Sequence, residues 1–264
     1  MKPTVRIARL YVLLLSLSVR RQLAFKADFF VELAGTLLGL ASSLAAIFAV
    51  FSRTNNLGGY DSTEAVVLLS TYQIISGLRQ ALVEPNVRYN GTQVRDGTFD
   101  SILTQPAPSI FLATLASASP LALMQSAAGV SLLIPSVMRL ATPPTPVQIL
   151  LWLALVAAAA VVMWATRSIL AAAAFWSLGF SLDETYDAAW QIGRYPTSLL
   201  QNPLRFLFTY IIPVAFIATV PTGVLTGKLH LFWGPIGILC AIAAGTLAIR
   251  FWRYSLRHYA SATS

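Results

Sequence analysis

The feature that most constrains this chain is a series of long apolar runs separated by short polar segments. A helix needs about 20 apolar residues to cross the hydrocarbon core of a bilayer. Six runs reach or approach that length, and they lie at 29–51, 63–82, 109–136, 147–168, 204–221 and 231–250. The sequence therefore predicts an all-α integral membrane protein with about six transmembrane helices, forming a single domain over residues 1–264.

The charged residues support a membrane location and argue against a nucleic-acid partner. Only 11% of the residues are charged, whereas a soluble domain carries about 25%. The formal net charge is +8, but the lysines and arginines lie at the ends of apolar runs rather than in one basic stripe. This distribution follows the positive-inside rule and differs from that of phosphate-backbone binding. We therefore expect a lipid bilayer around the chain and no nucleic acid.

The same basic residues predict the orientation. If six spans alternate, most of them fall on one side, which the rule assigns to the cytoplasm. Both termini and the 83–108 loop are then cytoplasmic, and the protein is a multi-pass protein of the cell membrane. The residues on the predicted inner side are Arg20, Arg21, Lys26, Arg79, Arg88, Arg95, Arg194, Arg205, Arg250, Arg253 and Arg257, against Arg53, Arg139 and Lys228 outside.

Three stretches leave alternatives open. The fourth apolar run continues past Arg167, which fits a tilted helix, a helix that runs on into the cytoplasm, or a second short membrane segment. The fifth run is interrupted by Pro213 and ends at Pro221, and Pro120 lies in the third run; prolines at such positions kink helices. We place the polar stretch 181–203 in the cytoplasm, with a partial return into the membrane as the alternative.

The N-terminal segment 1–26 has a basic head and a short apolar core. Arg20 and Arg21 follow that core, where a signal peptide would have small residues and a cleavage site. The sequence predicts an interfacial helix that lies on the cytoplasmic membrane surface with its apolar face down.

Small residues recur every fourth position in the first and last spans, at Gly35, Gly39 and Ser43 and again at Gly237, Ala241 and Gly245. Small faces let helix backbones approach closely in lipid. They predict helix packing, either within one subunit or between two subunits.

The sequence offers few groups for catalysis or metal binding. Glu32 lies about one turn inside the first span, and we expect it to pair with Lys26 or Arg21. Asp183, Glu184 and Asp187 form an acidic cluster without a nearby histidine, which favours a solvated face over a metal site. We therefore predict no catalytic residue, metal or cofactor on this chain. The stretch GVLTGKL at 223–229 also departs from a phosphate loop in its glycine spacing and its final leucine.

Residues 94–106, VRDGTFDSILTQP, form a short polar motif between the second and third spans. Gly97 permits a tight entry, and Asp96 lies where a helix dipole favours an acid. Ile102 and Leu103 supply an apolar face, and Pro106 prevents continuation. The pattern predicts a short stiff helix at the membrane surface, suited to contact a soluble partner.

With these residues the sequence resembles the membrane subunits of ABC type-2 exporters, especially six-span permeases whose ATPase is a separate protein. Such permeases carry an approximate pattern of Gly, a hydrophobic residue, Asp, Leu and Pro after the second span. The resemblance covers most of the chain. The matching residues are Gly97, Phe99, Asp100, Leu103 and Pro106, then Phe175-Trp176, Tyr195-Pro196, Pro213, Val214, Ala215, Phe216 and Pro221.

The resemblance implies that 94–106 is a coupling helix that docks in a groove of an ABC ATPase, with Gly97, Phe99, Asp100, Leu103 and Pro106 as its key residues. ATP and magnesium would bind the partner ATPase. ATP-driven closure would tilt a pair of permeases, identical or related, from inward- to outward-facing. A small re-entrant element often precedes the last span in this family, and either 183–203 or 204–221 fits it.

In this interpretation the protein exports an amphipathic or hydrophobic substrate, and Tyr72, Gln73, Gln125 and Phe216 are candidates for lining the pathway. Two other hypotheses remain. One is an integral membrane enzyme that acts on lipids through the acids at 183–187 beside Tyr186 and Trp190. The other is a structural or regulatory membrane subunit without a pathway of its own.

Overall fold

A computed structural model describes residues 13, 16–18, 26–88, 90–173, 175–176, 183–208 and 216–259, and within this part the chain is helical without strands. Five helices are long and apolar enough to cross a membrane: Phe29–Phe51, Ser62–Val94, Pro120–Met138, Pro146–Ala173 and Trp233–Arg257. The predicted all-α membrane architecture is therefore confirmed. The predicted N-terminal interfacial helix lies largely outside the described residues.

Ten helices position the features discussed below. In chain order they are α1 Lys26–Phe51, α2 Ser62–Leu78, α3 Asn90–Arg95, α4 Asp100–Leu103, α5 Ser109–Leu115, α6 Leu123–Met138, α7 Pro146–Ala173, α8 Asp183–Ile192, α9 Thr219–Leu225 and α10 Trp233–Arg257. We call the end of the bundle that carries α3 and α4 the motif end. The end that carries the 52–61 and 139–145 loops is the opposite end.

Helix α2 is the most buried of the long helices. Its start is fixed by a capping box, in which the Asp61 carboxylate accepts from the Glu64 backbone N–H at 2.8 Å and the Glu64 carboxylate accepts from the Asp61 N–H at 2.7 Å. The helix continues through a π-helical turn, Arg79–Val83, into the short turn Glu84–Val87. Segments of π-helix inside an α-helix are frequent at functional sites.

The third apolar run is broken more sharply than a proline kink. Helix α5 ends at Leu115, and a 3₁₀ turn, Pro120–Ala122, precedes α6. The Asn86 side chain stabilises the break, because it donates to the Ser117 carbonyl at 2.8 Å and accepts from the Ser117 N–H at 2.7 Å. The candidate span therefore begins at Pro120 and not at residue 109.

Helix α7 runs on without a break past Arg167 to Ala173, which fits a tilted helix or a helix that extends beyond the membrane better than a second short segment. The extension brings Arg167 and the end of α7 to the motif end. There the Trp164 indole N–H donates to Thr114 of α5 at 2.9 Å.

The stretch 183–199 passes from the motif end to the opposite end. At its start, Asp183 accepts from Arg167 near the end of α7 at 2.5 Å. Past α8, the Ser198 hydroxyl donates to the Gly58 carbonyl in the loop before α2, also at 2.5 Å. The stretch therefore does not stay at one end of the bundle, which agrees better with the alternative of a partial return into the membrane than with a wholly cytoplasmic placement of 181–203.

The predicted span at 204–221 lies partly outside the described residues, and in the part that is described no helix here is long enough to cross a membrane. Ser198 lies beside the Leu57–Tyr60 turn, and the Thr219 carbonyl accepts from the Tyr60 hydroxyl at 3.5 Å. Ser198, which precedes the stretch, and Thr219, near its end, thus both lie at the opposite end, as expected of a re-entrant element. Pro221 does not end a helix but lies in the first turn of α9, where a missing N–H costs nothing.

The two small-residue faces have different surroundings. A Cβ on Gly237 would collide with Leu155 of α7, and one on Gly245 would lie 3.6 Å from Val161 of the same helix. These glycines therefore pack α10 against α7, as predicted for a contact within one subunit. A Cβ on Gly35 or Gly39 would meet nothing within 4 Å among the described residues, so in this part of the chain α1 lacks the close contact that α10 makes.

Helices α2 and α6 make a second close contact that the sequence analysis did not identify. A Cβ on Gly77 would collide with Ser126, and one on Gly129 would lie 2.8 Å from the Ser70 carbonyl oxygen. The Ser126 hydroxyl donates to the Ile74 carbonyl at 2.8 Å. Small residues on both helices permit this approach, and they do not follow the fourfold spacing used in the search.

Candidate coupling element and membrane cavities

Residues 96–106 form a compact turn followed by one helical turn. Gly97 has φ +70°, a conformation that side chains with a Cβ rarely adopt, and it lets the chain reverse after α3. The Phe99 N–H then donates to the Gln93 carbonyl at 3.1 Å, which closes the turn onto α3. The expectation for Asp96 is wrong, because Asp96 follows α3, and Asp100 is the acid in the first turn of α4.

Phe99 is fully buried in an aromatic cage formed by Phe175, Trp252 and Tyr259. Its ring centroid lies 5.0 Å from that of Phe175, 6.3 Å from Trp252 and 5.8 Å from Tyr259. Such edge-to-face contacts add to the free energy gained from burial. Because Phe175 follows α7 and Trp252 lies in α10, the cage joins the motif to two helices that pack closely on each other.

The other motif residues face outward. Leu103 is 41% exposed, and the exposed residues continue through Pro106. Asp100 is partly buried and accepts from the Tyr259 hydroxyl at 3.0 Å. Burial and this carboxylate raise the pKa of Tyr259. Of the five predicted coupling residues, Phe99 thus anchors the element from inside, and Leu103 and Pro106 form the surface that a partner can reach.

A further side chain ties the motif to the bundle. The Asn90 amide, buried at the start of α3, donates to the Ala113 carbonyl of α5 at 3.1 Å. Together with the cage, this bond holds the element on more than one side. A force on α4 therefore has stiff contacts through which to act on the membrane helices.

Five charged residues form a cluster, the charge cluster, at the motif end of α2, α7 and α8. Glu84 accepts from Arg79 at 3.0 Å and from Arg167 at 2.8 Å. Arg79 also donates to Asp187 at 2.6 Å, and Arg167 donates to Asp183 at 2.5 Å. The arginines are 7% and 2% exposed, so the carboxylates compensate two buried cations.

Aromatic rings complete the surroundings of both arginines. The Arg79 guanidinium lies 4.9 Å from the centroid of Trp190, and that of Arg167 lies 5.0 Å from Tyr186. The Trp190 N–H donates to the Ser76 hydroxyl at 2.8 Å. These contacts fix α8 against α2 and α7.

The prediction of a solvated face at 183–187 fits Glu184, which is exposed, and holds in part for Asp183 and Asp187, whose side chains are 41% and 44% exposed but also pair with Arg167 and Arg79. The signal that sequence reasoning could have used is Arg167 itself. A cation inside an apolar run requires a buried carboxylate partner.

Two cavities lie beside this cluster. The motif-end cavity has a volume of about 630 Å³, and Arg88, Ser117 and Ala118 are among the residues that border it. The deep cavity, about 620 Å³, lies between α1, α2, α6 and α8. Both volumes fall in the range of small-molecule sites. Glu32, Arg79, Gln80 and Asp187 border both cavities, so the Arg79–Asp187 ion pair lies where the two cavities meet.

The deep cavity brings together three of the four residues predicted to line a pathway. Tyr72, Gln73 and Gln125 border it, and the Gln125 amide donates to the Gln73 carbonyl oxygen at 2.8 Å. Phe216 lies instead in a buried cluster with Leu155, between α7 and α9.

Gly35 and Gly39 also border the deep cavity, which explains the open space beside them. Glu32 forms no ion pair with any side chain that the structure describes, and its expected partners, Arg21 and the Lys26 side chain, lie outside that part.

One residue of the deep cavity was missed. Arg194, predicted to be cytoplasmic, follows α8 and places its guanidinium 5.6 Å from the centroid of the Tyr72 ring, in the middle of α2. Arg194 therefore lies beside the middle of α2 and not at the motif end, where the sequence placed it.

Within the described residues, no group of three or more histidine, cysteine or acidic side chains has the arrangement of a metal site. The 223–229 stretch forms a tight turn, in which the Leu229 N–H donates to the Gly223 carbonyl at 2.8 Å and a Cβ on Gly223 would collide with Leu229. Its glycine thus serves packing.

Comparison with known protein families gives one match. A family model described as ABC-2 family transporter protein matches residues 37–263, nearly the whole chain. No curated protein and no solved structure shows significant similarity.

Proposed function

This chain belongs to the ABC-2 transporter family, and we propose that it is the permease subunit of an ATP-driven exporter whose ATPase is a separate chain. The permease works as a dimer, with itself or with a related permease, in the cell membrane. The motif end faces the cytoplasm, as the distribution of basic residues favours. ATP and magnesium bind the partner ATPase.

The observation that carries this proposal is the construction of the 96–106 element. It presents Leu103 and Pro106 to the outside and fixes Phe99 inside the aromatic cage, which joins it to α7 and α10. A segment that merely connects two helices has no need of such an anchor. The arrangement suits a docking surface through which a motor moves the membrane helices.

The deep cavity is the proposed part of the pathway within this subunit. It lies at membrane depth and carries aromatic, amide and charged groups that can contact an amphipathic substrate. The Arg79–Asp187 pair lies between it and the motif-end cavity, so a rearrangement of α8 against α2 would join the two. Movement of α7 reaches α8 through the Arg167–Asp183 pair.

The hypothesis of a lipid-modifying enzyme rested on the acids at 183–187 as candidate catalytic groups, and two of them form ion pairs. Asp183 and Asp187 form ion pairs with Arg167 and Arg79, so these carboxylates already have structural partners in the charge cluster.

The experiment uses the chain co-purified with the ATPase encoded beside it and reconstituted in vesicles. Asp100→Lys places a cation on the docking surface. We expect it to insert and assemble normally and to uncouple ATP hydrolysis from transport. Tyr259→Phe is the matched control, because it removes the hydrogen bond to Asp100 and leaves the charge of the surface unchanged.

Transport by Asp100→Lys at the wild-type rate would refute the role of Asp100. Uncoupling by both variants would assign the effect to the lost hydrogen bond rather than to the docking surface. If no ATPase co-elutes with the wild-type chain, and none has a turnover that depends on it, the proposed function fails.

A further inference from the structure

Resting on the proposed function, we propose that the deep cavity binds amphiphiles with an anionic head group, such as a phosphate or carboxylate, and that Arg194 holds that group. The proposal concerns the class of substrate. It follows from a comparison of the two arginines that border the cavity.

Arg79 already has its counter-charges. It donates to Glu84 and to Asp187 at 3.0 and 2.6 Å, and its guanidinium stacks near Trp190. A ligand anion would have to displace these bonds. Arg79 therefore lines the cavity but is not the cation that would bind a ligand.

Arg194 has no such partner. It forms no ion pair with any acidic side chain that the structure describes, and this absence distinguishes it from Arg79, since the Nε atoms of both are buried without a hydrogen-bond acceptor. Of the ten acidic residues in the chain, only Asp28 has a side chain outside that description, and Asp28 lies at the motif-end start of α1.

A cation at membrane depth without a counter-charge is costly. The Tyr72 ring compensates part of this cost. The remaining donors of the planar guanidinium are suited to a phosphate or carboxylate, which they can bind through two parallel hydrogen bonds.

Neighbouring groups can add contacts to an anionic head group that Arg194 holds. Gln73 and Gln125 are bonded to each other through one donor and one acceptor, so their amides retain further capacity for a head group. Glu32 pairs with no described cation, but it also borders the motif-end cavity, whereas of the two cavities Arg194 borders only the deep one. The open space beside Gly35 and Gly39 leaves room for an apolar chain along α1.

The test measures binding to the full-length chain in nanodiscs of neutral phosphatidylcholine, by titration calorimetry with protein-free nanodiscs subtracted. The probes are dodecyl phosphate and dodecyltrimethylammonium, which share one alkyl chain and differ in charge. We expect dodecyl phosphate to bind more tightly. Arg194→Gln should weaken it at least about tenfold, the loss expected for a charge-assisted hydrogen bond, and Arg194→Lys should weaken it less.

Two further variants keep the test decisive. Arg205→Gln removes the same charge from an exposed position outside the cavity and should bind like wild type. Gly39→Leu keeps Arg194 and fills the open space, so it should also weaken binding, and it answers the question if Arg194→Gln does not fold.

Unchanged affinity in Arg194→Gln or in Gly39→Leu would overturn the proposal. So would an equal loss in Arg205→Gln, which would indicate surface electrostatics, or tighter binding of the ammonium probe that Glu32→Gln abolishes. If binding depends on Arg194 but the complex shows no ATP-driven transport, the proposed function is refuted and the anion-binding site is still supported. If Arg194→Gln transports at the wild-type rate, Arg194 does not hold the substrate, and the proposed function is still supported.

Discussion

Helices α10 and α1 are both long and apolar and both carry small residues at fourfold spacing, yet only α10 is tightly packed. The face of α10 with Gly237 and Gly245 contacts α7, and its far end forms the cage around Phe99. The corresponding face of α1 borders the deep cavity. We infer that α7, α10 and the motif move as one stiff body, and that α1 closes the cavity more loosely.

The largest expected difference concerns two phenylalanines. Phe99 is fully buried, whereas Phe48 of α1 is 79% exposed. Phe99→Ala should lower the free energy of unfolding by about 3–5 kcal/mol, and Phe48→Ala should change it by less than about 0.5 kcal/mol. Reversible unfolding in mixed detergent micelles measures both. Equal effects would show that the cage is not a core.

Next in size is the difference between two arginines. Removal of one partner from a buried ion pair typically costs about 3–5 kcal/mol, because the other charge stays buried; we place this effect second because α8 can relax. Arg167→Gln should therefore destabilise strongly, since it removes the cation that bridges Glu84 and Asp183 and leaves three carboxylates around Arg79 and one fewer positive charge in the cluster. Arg194→Gln leaves no carboxylate unpaired, and we expect it to unfold like wild type. A cost for Arg194→Gln as large as that for Arg167→Gln would reveal a structural partner for Arg194.

The two glycine faces give a smaller but more direct comparison. Gly237→Leu should cost about 1–3 kcal/mol by overpacking against Leu155. Gly39→Leu has space for its side chain and should unfold at the same detergent concentration as wild type. If Gly39→Leu proves the more damaging, α1 packs closely against another subunit.

The smallest effect concerns Tyr259. Loss of its hydrogen bond to Asp100 in Tyr259→Phe should cost about 1 kcal/mol. Because the pKa of Tyr259 is raised in the folded protein, its contribution is complete below the unfolded value of about 10 and is lost as the pH rises through the folded value. Wild type and variant should therefore converge in stability above pH 10, which melting curves between pH 8 and 11 can test. A constant difference over that range would contradict the assignment.

The long helices could be predicted because hydropathy is a local property and lipid demands it along the whole span. The limits of the 96–106 turn are local too, since Gly97 and Pro106 set them. The burial of Phe99 was not predictable, because it depends on Trp252 and Tyr259, which lie about 150 residues later.

The prediction that 183–203 stays at one end of the bundle failed for the same reason. Helix α8 looks too polar to enter a membrane until its carboxylates are paired with Arg79 and Arg167. Fourfold glycine spacing likewise predicts a face without predicting what covers it. In each case the missing information was a contact between distant parts of the chain.

The central claim is that the surface around Leu103 receives the ATPase, and photocrosslinking tests it most directly. Benzoylphenylalanine is placed at Leu103 or, as the control, at the exposed Asn55 of the opposite end, and the intact complex is irradiated in native membranes. We predict an adduct with the ATPase from position 103 and none from position 55. An adduct from position 55 with none from position 103 would contradict the account.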